Sequence, residues 1–162
     1  MKKYIALSLF ILITAACSGP KADKGAVVTL AYTLSCDGKI VEQTTAEKPF
    51  LFEMGDGTVI PGIEEAVRGR KRGAKISVQI PSDKAYGAHD PVLISSVPVS
   101  LLPKAQLVPG EVFTAETPDG RKLAATVLEI STATETAMVD FNHPLSGKTV
   151  NAEIKILGVK KK

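Results

Sequence analysis

Few side chains in this sequence could do covalent chemistry, and their spacing excludes most kinds. His89 and His143 are the only histidines. Neither stands at ligand spacing from a cysteine or from the other, so no metal centre is expected. There is no G-x-S-x-G elbow, phosphate-binding loop or dinucleotide fingerprint, and Gly55-Asp56-Gly57 reads as a turn. Glu64 and Glu65 are adjacent at a helix start and point apart, which leaves no paired acid and base. No cofactor is expected. What remains is apolar, with few polar atoms: Phe50, Ile60 and Ile63 around a short helix, and Tyr86 beyond it. On pattern alone the first three are ordinary core residues. Tyr86 sits at a turn, and its hydroxyl needs a partner.

All four fall within residues 49 to 87, the unit that the rest of the chain is expected to support. Phe50 and Phe52 alternate with Leu51 and Glu53, as in a half-buried strand. Pro61 opens a helix whose apolar face is Ile63, Ala66 and Val67, with Glu64 and Glu65 in its first turn and Gly69 as its stop. Ile76, Val78 and Ile80 then share one face of a strand. Before this unit, Val28, Leu30, Tyr32 and Leu34 alternate along another strand, and Asp37-Gly38 turns it back at Ile40. Cys36, at that turn, reads as exposed. After Gly87, prolines punctuate short apolar pieces. Val112 to Glu116, Leu123 to Ile130 and Thr136 to Asp140 then form a small antiparallel subdomain with a Pro118-Asp119-Gly120 turn. Val150, Ala152, Ile154 and Ile156 mark a long last strand that must return to the first sheet. The predicted class is α+β, mostly β: an antiparallel sheet wrapped on one short helix. The main domain is discontinuous, residues 26 to 90 plus 141 to 160, with residues 91 to 140 inserted.

Composition sets the remaining bounds. The chain of 162 residues is 44% hydrophobic, carries a net charge of +3 and has no Trp. Basic and acidic residues are mixed, so nucleic acid is not an expected partner. The basic clusters at Arg68 to Arg72 and Lys160 to Lys162 read as solvated surface. Lys2 and Lys3 precede an apolar run from Tyr4 to Ile13, and Thr14-Ala15-Ala16 leads to Cys17. That is a secretory signal too short to span a bilayer permanently. Small residues directly before a cysteine resemble a bacterial lipobox, although Thr14 stands where an aliphatic residue is usual. Residues 1 to 16 are then a signal peptide, Cys17 is the lipidated first residue, and residues 17 to 25 are a polar tether. The alternative is an ordinary secreted protein cleaved nearby.

GDGTVIPGIEEAVRG, VQIPSDKAYGAHDPVLISSVP and VDFNHPLSGKTV, in that order, resemble the FKBP family of peptidyl-prolyl isomerases in its SlyD-type branch. The resemblance covers nearly all of residues 26 to 159. It implies an antiparallel sheet wrapped on one helix, a shallow apolar pocket, and an insert-in-flap subdomain that captures unfolded chains. The family's pocket positions fall on Tyr32, Phe50, Val59, Ile60, Ile63 and Tyr86. Glu42 stands where the family usually has Asp, Val41 where many members have Phe, and Ala152 where an aromatic lines the pocket. By this resemblance the Ile60 N–H serves the carbonyl preceding the substrate proline, and the Tyr86 hydroxyl serves another substrate carbonyl.

The implied reaction needs no nucleophile or metal. Rotation about an X–Pro amide faces a barrier of roughly 18–20 kcal/mol because resonance flattens the bond. A twisted amide has lost that charge separation, so an apolar pocket favours it. The expected function is a prolyl isomerase and folding chaperone for exported proteins, anchored by lipid in the bacterial cell envelope and acting as a monomer. Its expected partners are unfolded or proline-containing polypeptides. The alternative is a holdase with little catalysis, which Val41 and Ala152 motivate.

Overall fold

The computed structural model of the chain describes residues 19–102, 108–116, 120 and 122–161. Cys17 and most of the Pro118-Asp119-Gly120 turn lie outside the described residues. Two antiparallel sheets carry the fold. The first is built on β1 (Val27–Cys36), whose inward and outward residues alternate along its whole length. One edge of β1 is shared: β3 (Phe50–Glu53) pairs with its first half and β2 (Lys39–Gln43) with its second. The other edge takes β9 (Val150–Lys160), which in turn pairs with β4 (Lys75–Ile80). The last strand therefore returns to the first sheet, and that sheet has β2 and β4 at its margins.

Helix α1 (Pro61–Val67) covers the inward face of this sheet. Pro61 is its first residue, and Gly69, with φ +70°, follows its C-cap. Ile63 and Val67 are fully buried with Val28, Leu30, Leu34, Phe52, Ile80, Ile154 and Ile156, each such burial being worth about 1.5–3 kcal/mol. Gly62 faces β4 so closely that a Cβ there would run into the Cγ2 atom of Ile80. The helix sits on the sheet at a distance only glycine permits.

The second sheet has the order β5-β8-β7-β6: β5 (Ile94–Pro98), β6 (Val112–Glu116), β7 (Lys122–Ser131) and β8 (Thr136–Asp140). Its separate core is Leu102, Phe113, Ala125, Val127, Ala137 and Val139. The proline-punctuated stretch contains the strand β5 that spacing alone does not show. Pro98 is tolerated because β5 lies at the sheet edge, where the missing N–H breaks no ladder. Where the chain leaves and re-enters the first unit, the buried Asn142 amide clamps Asp90. Its Oδ1 accepts the Asp90 N–H at 2.9 Å and its Nδ2 donates to the Asp90 carbonyl at 2.8 Å.

Two expectations from the sequence need correcting. Cys36 is not an exposed tip residue: β1 runs through it on the core face, leaving it 4% exposed. Burial, with Asp37 beside it, pushes its thiol above the ordinary range. Residues 17 to 25 are not all free tether either. Lys21 pairs with Lys71, the Ala22 N–H donates to the Arg70 carbonyl at 2.8 Å, and the Gly69 N–H donates to the Ala22 carbonyl at 2.9 Å. Ala22 is completely buried. Its small methyl fits against the turn after α1, so the polar segment around it folds down.

Gly62→Ala is expected to lower unfolding free energy by about 1–3 kcal/mol through overpacking, despite alanine's better helix propensity. Chemical denaturation checks this; an unchanged or raised midpoint would refute the close-contact argument.

Candidate active site

The loop ahead of α1 is shaped by Asp56. Its Oδ1 accepts the Thr58 N–H at 2.8 Å and its Oδ2 accepts the Glu53 N–H at 3.1 Å. These bonds hold the carboxyl below its usual range. Gly55 and Gly57, at φ +98° and +72°, take the backbone turns that other residues resist. The loop thereby delivers Val59 and Ile60 to the N-terminal end of the helix. The Ile60 carbonyl accepts from Ile63 and Glu64. Among the described residues, its N–H makes no hydrogen bond.

Opposite this loop lie Tyr32 and Leu34 on β1, Phe50 on β3 and Tyr86 beyond β4. Together with Glu42, Thr58, Val59, Ile60 and Ile63 they line a hollow of about 210 Å³. Ile63 and Leu34 are buried; Phe50, Ile60 and Tyr86 are half-buried. Tyr32 and Phe50 meet edge to face with ring centres 6.0 Å apart, a geometry that aromatic quadrupoles favour. The structure thus brings together Tyr32, Glu42, Phe50, Val59, Ile60, Ile63 and Tyr86.

Ala152 does not join them. It lies between Leu34 and Val78 in the sheet, fully buried on the core face. It is not among the residues that line the hollow, so the expected pocket role is corrected. A larger hollow of about 410 Å³ lies against the outer face of the sheet, among Thr33, Lys75, Ser77, Glu153 and Lys155. Tyr32 also borders it, but Phe50, Ile60 and Tyr86 are not among its lining residues.

The polar groups are few and specific. Tyr32 donates its hydroxyl to Glu42 Oε1 at 2.5 Å. Burial first, and then this hydrogen bond and the carboxylate charge, push the Tyr32 phenol far above its ordinary range. Burial and the Glu42 charge also raise Tyr86. Both phenols therefore stay protonated donors at neutral pH. Tyr32 spends its proton on Glu42. The Tyr86 hydroxyl has no hydrogen-bond partner among the described residues.

His143, read from sequence as a turn residue, is the site residue that sequence reasoning missed. Its ring stacks on Tyr86 with centres 4.2 Å apart and planes 3° from parallel. Its Nδ1 accepts the Leu145 N–H at 3.1 Å, which places the ring proton on Nε2. Burial lowers its pKa, keeping it neutral. The two loops are tied by the Gly147 N–H, which donates to the Gly87 carbonyl at 2.8 Å. Nothing in local spacing reveals this pairing, because the partners lie on opposite sides of the second sheet in sequence.

Glu42→Gln should move the ionisation of Tyr32 and Tyr86 toward the ordinary phenol value of 10.0. Removing an anion makes a second negative charge easier to form. Ultraviolet titration of phenolate absorbance checks it; an unchanged midpoint would show that Glu42 does not govern this site.

Comparison with known proteins agrees with this geometry. Residues 19–117 match the family described as FKBP-type peptidyl-prolyl cis-trans isomerase. The chain is 34% identical over 135 residues to the FKBP-type peptidyl-prolyl cis-trans isomerase SlyD of Aeromonas hydrophila, covering 83% of this chain and 62% of that protein. It is also 34% identical, over 134 residues, to a probable FKBP-type 16 kDa peptidyl-prolyl cis-trans isomerase of Pseudomonas fluorescens, covering 82% of this chain and 88% of the relative. A short-type peptidyl-prolyl cis-trans isomerase of Methanocaldococcus jannaschii is 31% identical over 153 residues, covering 84% and 92%. With an apolar hollow lined by Ile60 and Tyr86 and matches across most of its length, the chain belongs to the FKBP-type peptidyl-prolyl cis-trans isomerase family.

Proposed function

We propose that this chain is a peptidyl-prolyl cis-trans isomerase for exported proteins, acting as a monomer and held to a membrane of the bacterial cell envelope by a lipid on Cys17. The observation that carries the enzymatic reading is a pair of donors without hydrogen-bond partners among the described residues, the Ile60 N–H and the Tyr86 hydroxyl, at one small apolar hollow. A substrate proline ring enters over Ile63, Val59 and Phe50. The Ile60 N–H takes the carbonyl preceding that proline, and Tyr86 takes another substrate carbonyl. With both ends of the segment held, rotation is confined to the bond between them. The twisted amide has less charge separation than the planar one, so the apolar walls stabilise it relative to the ground state. Each 1.36 kcal/mol removed from a barrier of roughly 18–20 kcal/mol gives about tenfold in rate.

The lipid anchor is supported by the short apolar segment and the small residues before Cys17. The second sheet supports a client-binding role of the insert-in-flap kind for residues 91 to 140. Val92, Leu101, Val112, Leu128 and Met138 are exposed there, a concentration of apolar surface that suits extended, unfolded chain. The same exposure favours a second reading, a holdase in which catalysis is minor.

The soluble chain from Ser18 is expected to accelerate isomerisation of a proline-containing peptide, and Tyr86→Phe to lose up to about tenfold in kcat/KM, the worth of one neutral hydrogen bond. No acceleration of that peptide, together with no effect on a proline-limited refolding reaction, would end the enzymatic reading. Replacing residues 92–139 with a short glycine linker separates the two roles. Peptide turnover should persist while suppression of aggregation is lost; the reverse outcome would favour neither assignment of parts.

A further inference from the structure

Three basic segments far apart in sequence converge where the chain leaves its anchor. Lys21 pairs with Lys71, beside Arg70 and Arg72 of the turn after α1. Lys161, just beyond β9, lines one hollow with Lys21 and Lys24, and Asp23 is the acid among its lining residues. Lys160 pairs with Val27 at the same end of the sheet. Apart from the half-buried Lys71, these basic residues are all exposed. Arg68 is excluded, since Glu64 holds it at 3.1 Å.

The folded-down tether makes this convergence matter. Were residues 17 to 25 all free, the leash could extend to roughly 30 Å, several Debye lengths at physiological salt. With Lys21 already docked on Lys71, only the span from Cys17 to Lys21 remains, at most about 14 Å when fully extended. That reach is under two Debye lengths of about 8 Å. A basic cluster held so near a bilayer feels its surface charge.

We propose that the surface formed by Lys21, Lys24, Arg70, Lys160 and Lys161 docks on anionic phospholipid headgroups of the membrane that holds the Cys17 lipid. This rests on the lipid-anchor reading above. Each Lys or Arg near an anionic surface shifts partitioning about fivefold. One acyl-based signal plus a basic patch is also a combination that holds where a single weak signal does not. Docking by this end gives the enzyme an orientation. β1 runs away from the membrane, placing Tyr32 and the hollow it lines about 17 Å further out along the strand.

The test uses the mature chain purified from membranes and reconstituted in phosphatidylcholine vesicles with and without phosphatidylglycerol. Amine-reactive labelling is read by mass spectrometry. Lys21, Lys24 and Lys161 should label about fivefold less on the phosphatidylglycerol vesicles, and recover in about 1 M salt, where the Debye length is about 3 Å. Lys39 and Lys122 should not change. Lys21→Glu with Lys24→Glu should abolish the protection of Lys161 without altering isomerase activity. Equal labelling on both vesicles, with an acylated N-terminal peptide, overturns the docking surface and leaves the anchor standing. An unacylated N-terminal peptide overturns both.

Discussion

The whole site depends on how closely α1 can approach the sheet. Gly62 has no Cβ, and that absence lets Ile80 fill the space where a methyl would stand. A helix of seven residues cannot hold itself together in water, because nucleation is costly and few turns repay it. Its stability comes from seating Ile63 and Val67 among the strands. That seating also fixes Ile60, the residue before the first turn, so its N–H points where no helix carbonyl can take it. A donor unpaired among the described residues is a by-product of beginning a helix there, and the fold places Ile60 in the lining of the hollow.

Electrostatics then divides two tyrosines that look alike in sequence. Tyr32 lies on β1 within reach of Glu42 across the β1–β2 pairing and donates its hydroxyl hydrogen bond to that carboxylate. Tyr86 feels the same charge without bonding to it, so its hydroxyl remains available. The His143 ring holds the Tyr86 plane from one side. A neutral imidazole does this without adding a charge that would compete for the phenol. One tyrosine is structural, and the other is poised.

The same logic governs the two sheets. The second sheet has a core of its own, smaller than the first and built from residues such as Val127 and Val139, and it leaves apolar residues exposed. Its attachment is polar: Asn142 reads both backbone groups of Asp90, and Asp140 bonds His89 at 2.9 Å. A junction made of directed hydrogen bonds fixes the path of the chain through two crossing strands.

Sequence by itself determined the local elements. Period-two patterning marked β1, β4 and β9, Asp37-Gly38 marked the first hairpin, and Pro61 and Gly69 bounded α1, because each depends on neighbours a few residues away. Its residue types pointed away from a nucleophile or ligand set, and the family motifs named most of the lining. Only tertiary structure decided which of those residues share a surface. Ala152 and Leu34 are register partners and both are buried, yet only Leu34 lines the hollow, since that depends on what packs above each strand. His143 reached Tyr86, and Ala22 reached Arg70, through contacts that span the chain. Burial and through-space charge are sums over partners distant in sequence, and no local pattern contains those sums.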